Sequence, residues 1–281
     1  MRTNRQICWL AAVGAMVSVQ GGASLAKHLF PVVGAAGATL LRVGLAAVLM
    51  LLVFRPKVRT LSREQLKRSF LYGLSIIAMN QLFYCALART PLGIAVTVEF
   101  VGPLALALLL SRKPLDFLWT ALAVMGILLI VPWTQAHGDL SLAGVLLAAA
   151  AGGGWALYIL ATNHVTRITP TPDAAALGMT VAAVAAIPLA LADGGILRLS
   201  GNILWPAIGT AVFSSALPFT LELVALKGLS KKTFSITLSV EPAIAALSGL
   251  LFLGEHLTVL QLVAMACVMT ASVGSTLTAK R

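Results

Sequence analysis

The sequence predicts an all-α membrane protein of ten transmembrane helices, arranged as two inverted five-helix repeats. Two observations indicate a membrane protein: 59% of the 281 residues are hydrophobic against 10% charged, and the apolar residues form continuous, span-length blocks. Continuous blocks disfavour transmembrane strands, which alternate in polarity. A third observation predicts the repeats, because Val98–Pro103 recurs about 139 positions later as Leu238–Pro242.

Ten apolar segments are long enough to cross a hydrocarbon core of about 30 Å. They are predicted at residues 7–26, 35–54, 70–88, 92–110, 116–133, 140–162, 173–192, 204–226, 233–253 and 257–277. We interpret the first as an uncleaved helix rather than a signal peptide, because it leads directly into further spans. The two repeats then comprise residues 1–135 and 136–281, which leaves no room for a soluble domain.

The net charge of +11 follows the predicted topology. With a cytoplasmic N-terminus, the inner side collects Arg2, Arg5, Arg55, Lys57, Arg59, Arg63, Lys67, Arg68, Arg112, Lys113, Arg167, Lys227, Lys231, Lys232, Lys280 and Arg281. The outer side keeps Lys27, Arg89 and Arg198. This asymmetry predicts that both termini are cytoplasmic. No nucleic-acid partner is expected, since no domain remains to carry such a site.

An odd number of spans in each repeat makes the second repeat enter the bilayer from the opposite side. Inverted repeats allow one architecture to open alternately towards either side around a site near the midplane. The arrangement also brings Glu99 and Glu241 to comparable depths from opposite sides. A charge at such depth costs roughly 2.5–3.5 kcal/mol, so both carboxylates are candidates for proton coupling.

Polar stripes on six spans predict the wall of a cavity, because polar side chains in lipid face the bundle interior. On spans 1, 3, 4, 6, 8 and 9, in that order, the stripes contain Gln20, Ser24 and Lys27; Asn80 and Tyr84; Glu99; Trp155, Tyr158 and Thr162; Ser215 and Glu222; and Thr237, Glu241 and Ser248. Pro103, Pro218 and Pro242 are candidate kinks that could act in gating.

Structural alternatives exist for several of these residues. Glu99 and Glu241 could form a buried pair with Arg42 or Lys27. Glu222 lies near the inner end of its span, and we interpret it as meeting Lys227 at the interface. The hydroxyl residues of the stripes equally suit helix–helix hydrogen bonds.

Motifs for catalysis or nucleotide binding are absent from the sequence. Gly228–Thr233 places a lysine beside a threonine but lacks the leading glycine of a phosphate loop. Neither His-Glu-x-x-His nor Gly-x-Ser-x-Gly occurs. The three cysteines are isolated and show no metal-ligand spacing. The sequence therefore predicts no enzyme, no cofactor and no bound metal.

The duplicated units, together with Glu241-Pro242 and Gly254–Thr258, resemble the EamA branch of the drug/metabolite transporter superfamily. More narrowly, residues 20–27, 91–96, 99–104 and 274–278 are similar to the bacterial subgroup that exports threonine and homoserine. Ser111-Arg112-Lys113 replaces the Gly-Glu that family members often carry there, and this subgroup shows a similar basic sequence.

The resemblance implies a cavity lined by spans 1, 3, 4, 6, 8 and 9. It also implies efflux of small amino acids from the bacterial cytoplasm. We therefore predict a secondary, proton-coupled exporter of small neutral amino acids in the bacterial inner membrane that works by alternating access. For a zwitterionic substrate, Glu99 or Glu241 would bind the ammonium group. Candidate carboxylate ligands are Lys27, Gln20 and Asn80; Tyr84, Trp155 and Tyr158 would form walls, and Ser24 and Thr237 complete the predicted site.

Two alternatives to this function remain from the sequence. One is a transporter of the same fold that exports another small metabolite or drug. The other is a membrane enzyme or assembly factor that shows no substrate flux. The sequence leaves the oligomeric state open.

Overall fold

A computed structural model describes residues 5–56, 61–109, 114–130, 140–198 and 203–278. Within them the α-helices are α1 (Arg5–Phe54), α2 (Arg63–Leu87), α3 (Leu92–Glu99), α4 (Val101–Leu109), α5 (Pro114–Ile130), α6 (Leu142–Val165), α7 (Thr171–Asp193), α8 (Leu204–Ala211), α9 (Leu217–Gly228), α10 (Lys231–Leu238), α11 (Glu241–Leu253) and α12 (Val259–Thr278). A 3₁₀ turn covers Gly195–Arg198, and a π-helical segment covers Val212–Ala216. No strand occurs in these ranges, which confirms the all-helical prediction.

Among the described residues, seven helical segments are long and apolar enough to cross a membrane. Two shorter apolar helices cover Leu92–Leu106 and Phe117–Ile130. Several residues used to predict topology lie outside the described ranges, namely Arg2, Lys57, Arg59, Arg112, Lys113, Lys280 and Arg281.

Helix α1 contains the first two predicted spans and is interrupted at Gly34, which has φ 70° and ψ 171°. This backbone conformation favours glycine, and Pro31 weakens the helix one turn earlier. Ser18, in the first arm (residues 5–33), and Arg42, in the second arm (residues 35–54), both bond to carbonyls of the π-helical segment. The two arms therefore fold back alongside each other. The connection predicted between residues 26 and 35 is helical up to this glycine.

Three predicted spans are interrupted next to a proline. The fourth span breaks between α3 and α4, the eighth passes through the π-helical segment, and the ninth breaks between α10 and α11. Pro103, Pro218 and Pro242 lack the N–H groups that would otherwise bond to the carbonyls of Glu99, Ser214 and Leu238. Irregular backbone of this kind is tolerated in a membrane where protein buries it or where it lines a cavity.

Glycines in α6 allow this helix to pack closely against the break between α3 and α4. A Cβ added at Gly102 would collide with the carbonyl of Gly152, and one added at Gly152 would lie 2.5 Å from the carbonyl of Glu99. Two residues further along α6, a Cβ at Gly154 would lie 3.0 Å from the Met79 backbone of α2. Small residues permit this close approach of helix backbones in lipid. The position of Glu99 is therefore set by backbone packing.

The largest buried cluster lies on the Gly34 side of the molecule and joins α1, α2 and α3. Tyr84, Leu87, Leu92 and Val33 are completely buried in it. This cluster fills the bundle between Gly34 and the polar residues near its middle.

Candidate functional site

A cavity of about 330 Å³ lies in the middle of the helical bundle. It is lined by Met16, Val19, Gln20, Ala23, Arg42, Met79, Asn80, Phe83, Val96, Glu99, Trp155, Tyr158, Glu222, Phe234, Leu238 and Glu241. Its volume lies at the lower end of the range of about 300–1,000 Å³ that is usual for small-molecule sites. The cavity therefore suits a small ligand.

Three carboxylates face this cavity, from Glu99, Glu222 and Glu241. Glu99 ends α3 beside the first break and is 8% exposed, whereas Glu241 begins α11 just after the second break. Gln20 donates a hydrogen bond from Nε2 to Oε1 of Glu241 at 2.9 Å. The buried Oε1 of Gln20 has no hydrogen-bond partner among the described residues. The cavity thus offers anionic groups, and the amide of Gln20 beside Glu241 keeps one buried oxygen without a partner among the described residues.

Arg42 brings a positive charge to the same cavity. Its guanidinium carbon lies 5.3 Å from the centre of the Tyr84 ring, a cation–π geometry. The Nη2 group donates to the carbonyl of Ser214 at 3.4 Å. The ion pairs within 4.0 Å among the described residues are Lys27–Glu255 and Arg68–Glu64. Arg42 therefore faces the cavity carboxylates without pairing with them.

Six of the residues predicted from sequence line the cavity: Gln20, Asn80, Glu99, Trp155, Tyr158 and Glu241. Trp155 packs edge-on against Phe100 at 5.1 Å between ring centres, and Tyr158 stacks on Tyr72 at 5.4 Å. The aromatic walls are therefore fixed by neighbouring rings on α2 and at the α3–α4 break.

Four other predicted residues lie elsewhere. Ser24 donates to the carbonyl of Gln20 at 3.0 Å, and Thr237 donates to the carbonyl of Thr233 at 2.9 Å. Tyr84 is completely buried under Arg42, and Lys27 pairs with Glu255. These side chains are not part of the lining, although Ser24 and Tyr84 contact the lining residues Gln20 and Arg42. Conversely, the structure adds Arg42 to the lining, and it places Glu222 there as its polar stripe predicts, rather than at the interfacial contact that its position in the sequence favours.

Comparison with known proteins identifies the family. The threonine/homoserine exporter RhtA of Salmonella typhimurium (strain LT2) is 44% identical over 267 residues, which cover 95% of this chain and 90% of the exporter. The threonine/homoserine exporter RhtA of Escherichia coli (strain K12) is 43% identical over 267 residues with the same two coverages of 95% and 90%. The EamA-like transporter family itself matches residues 142–277. The chain belongs to the EamA-like transporter family.

A solved crystal structure has a TM-score of 0.64 to this EamA protein and covers 100% of both chains at 17% sequence identity. This similarity shows that the fold is shared. Together with the long apolar helices, family membership makes the chain a multi-pass membrane protein.

The cavity of this EamA protein draws on both halves of the chain. Trp155, Tyr158, Glu222 and Glu241 lie within the family match at residues 142–277, whereas Gln20, Arg42, Asn80 and Glu99 precede it. Neither half alone supplies the complete set of charged and amide groups.

A second chamber of about 170 Å³ adjoins the main cavity and shares Arg42, Asn80, Tyr158 and Glu222 with it. It extends past Met50, Tyr72, Ala175 and Pro218, on the side of the molecule away from Gly34. Ala175 and Met179 of α7 belong to its wall.

The Gly34 side carries a different charged contact. Lys27 Nζ lies 2.5 Å from Glu255 Oε1 and donates to the Thr90 carbonyl at 3.2 Å. The other oxygen of Glu255 accepts from the backbone N–H of Leu92 at 2.7 Å. One carboxylate therefore joins the first arm of α1, the start of α3 and the α11–α12 connection. No local sequence pattern indicates this pairing.

Proposed function

We propose that the protein is a secondary exporter of small neutral amino acids such as threonine and homoserine, coupled to protons and located in the bacterial inner membrane. The observation that carries the proposal is the small central cavity, in which Arg42 opposes three carboxylates. Support also comes from the threonine/homoserine exporters that are 43–44% identical over 95% of the chain.

A zwitterionic amino acid brings one positive and one negative group into the membrane, so its site must complement both. Glu99 and Glu241 are placed to receive the ammonium group. Asn80 lines the same cavity and can bond to a side-chain hydroxyl. A site built to bond a hydroxyl discriminates against analogues that lack one, because its buried polar groups would be left unpaired.

Proton coupling follows from competition for the same carboxylates. Glu99 and Glu241 interact electrostatically with each other. A proton and the ammonium group of the substrate therefore compete to neutralise the same two carboxylates. Binding of the amino acid on one side would release a proton, and re-protonation on the other side would release the amino acid.

For the transport cycle, we assign ten membrane crossings in two inverted repeats, residues 1–135 and 136–281, with both termini cytoplasmic. The breaks next to Pro103 and Pro242 support the repeats, because these prolines are 139 positions apart. Both breaks adjoin the cavity, and Pro218 lies in the wall of the second chamber, so all three can act as hinges. In this scheme the Lys27–Glu255 contact closes the outer side, and the second chamber leads towards the cytoplasm.

Export from cells tests the proposal. Bacteria that overproduce the chain should tolerate inhibitory concentrations of threonine and homoserine and release both into the medium, and valine should leave more slowly. Equal release of valine and threonine would contradict hydroxyl recognition. Release of neither, with the protein verified in the membrane, would exclude amino-acid export.

A further inference from the structure

The lining of the cavity contains one cation, Arg42, and no carboxylate of the described residues pairs with it within 4.0 Å. Arg42 is the only basic residue among the described lining residues, where Glu99, Glu222 and Glu241 provide the negative charge. Lys27, the other basic residue considered for the substrate carboxylate, already has a carboxylate partner 2.5 Å away in Glu255. Within the described lining, the carboxylate of a zwitterion therefore has one positive group to bind that is not already in an ion pair.

The guanidinium of Arg42 is held from two directions. Pro218 has no N–H to bond to the Ser214 carbonyl, and this carbonyl accepts from Arg42 Nη2 at 3.4 Å. The Tyr84 ring lies 5.3 Å from the guanidinium carbon and is itself fixed by the Phe30 ring at 5.5 Å. A guanidinium has five N–H donors in a planar fork, so these contacts leave donors for a ligand.

We propose that Arg42 binds the carboxylate of the transported substrate and that Tyr84 is a positioning residue for its guanidinium. The assignment rests on the proposed function and identifies the group that recognises the acid end of the amino acid. A planar guanidinium binds a carboxylate through two parallel hydrogen bonds, which a lysine cannot reproduce. Because Arg42 lines both chambers, it can remain bound to the substrate carboxylate as the substrate moves between them.

The experiment is counterflow of labelled threonine into proteoliposomes that contain the purified protein and unlabelled threonine. Unlabelled threonine and threoninamide, which keeps the ammonium and hydroxyl groups but lacks the carboxylate, are compared as competitors. The unsubstituted protein should prefer threonine by at least about tenfold, since hydrogen bonds to charged groups contribute that much affinity.

In the R42Q variant, the apparent affinity for threonine should fall roughly tenfold to hundredfold, and the preference over threoninamide should disappear. R42K keeps the positive charge but lacks the planar guanidinium, so its preference for threonine over threoninamide should be reduced but not lost. If R42Q fails to insert into the membrane, R42K is used to measure the change in this preference. R68Q is the matched control, because Arg68 pairs with Glu64 away from the cavity. It should leave both affinities unchanged.

Tyr84 is tested with a matched pair of variants. Y84F keeps the ring and removes a buried hydroxyl that has no partner among the described residues, so it should behave like the unsubstituted protein. Y84L removes the ring and should reduce the threonine–threoninamide preference several-fold. A purely structural role would slow transport without altering that preference.

The outcomes separate the two proposals. Threonine counterflow by the unsubstituted protein with an unchanged preference in R42Q or R42K overturns the assignment of Arg42 and leaves the proposed function intact. Absence of threonine counterflow by the correctly inserted, unsubstituted protein overturns the proposed function and the assignment together.

Discussion

Lys27 and Arg42 are both basic residues of α1, on opposite sides of Gly34, but they differ in their partners. Lys27 lies 2.5 Å from Glu255, whose side chain is 8% exposed and also accepts from the Leu92 backbone. Arg42 shares a cavity with three carboxylates, and none of them pairs with it within 4.0 Å.

This difference separates a structural charge from a binding charge. A buried ion pair with additional hydrogen bonds satisfies both partners and fixes the elements that carry them. A charge that faces a cavity without a partner is costly for the protein alone, and a ligand of opposite charge repays that cost. The Lys27 contact is therefore expected to govern closure and stability, and the Arg42 cavity is expected to govern recognition.

The two main cavity glutamates differ as well. Glu241 lies in the first turn of α11, where the helix dipole favours a carboxylate, and Gln20 donates to it. Glu99 lies at the last residue of α3, where the dipole gives no such support. We expect Glu241 to be the anchor of the ammonium group and Glu99 to be the group that exchanges the proton.

The largest expected effect comes from E99Q. Efflux driven by a pH gradient should fall to background, because the amide cannot carry a proton, while threonine counterflow should persist. Transport in proteoliposomes with and without an imposed gradient measures both. E64Q, which removes an exposed glutamate paired with Arg68, is the control. Gradient-driven efflux at the unsubstituted rate would make Glu99 a structural residue.

A smaller effect is expected for E241Q. Loss of the anionic partner should weaken threonine binding roughly tenfold to hundredfold, in counterflow as well as in driven efflux. Titration of counterflow with threonine measures the change. An unchanged affinity would remove Glu241 from the ammonium site and contradict the distinction drawn between the two glutamates.

On the Gly34 side, E255Q should act mainly on stability. It leaves Lys27 without its ion-pair partner and should lower the free energy of unfolding by roughly 1–3 kcal/mol. Thermal unfolding of the detergent-solubilised protein should show a lower midpoint, with threonine affinity nearly unchanged. Exchanging the two charges in the K27E/E255K double variant should recover part of the loss. If E255Q weakened threonine binding without changing stability, the contact would belong to the binding site.

The smallest effect is expected for S24A. Its hydroxyl donates to the carbonyl of Gln20 in its own helix, so threonine affinity should change by less than about threefold. Threonine titration of counterflow measures it. A tenfold loss would return Ser24 to the substrate site that its sequence position suggested.

The sequence predicts the helices and part of the site because both follow from local patterns. Gln20, Asn80, Glu99 and Glu241 stand out as polar residues in apolar spans, and the cavity contains all four. In the sequence, Arg42 is a single charge in an otherwise apolar span. One polar residue forms no stripe, so it does not show which face of the helix points towards the bundle interior. Its role depends on Ser214 and Tyr84, which are distant in sequence.

Two other features were not settled by local sequence. Glu222 shares a polar stripe with Ser215, but its position near Lys227 favoured an interfacial contact over the cavity that it lines. The partner of Lys27 is 228 residues away and lies between two helices, so neither helical spacing nor hydropathy indicates the pair.

The most direct test of the distinction between paired and unpaired charges compares R42Q with K27Q in threonine counterflow and thermal unfolding. Each variant replaces one basic residue of α1 with the same amide. We predict that R42Q loses threonine affinity and keeps its unfolding midpoint, whereas K27Q keeps threonine affinity and unfolds at a lower temperature. Loss of affinity in K27Q together with normal binding in R42Q would contradict the account.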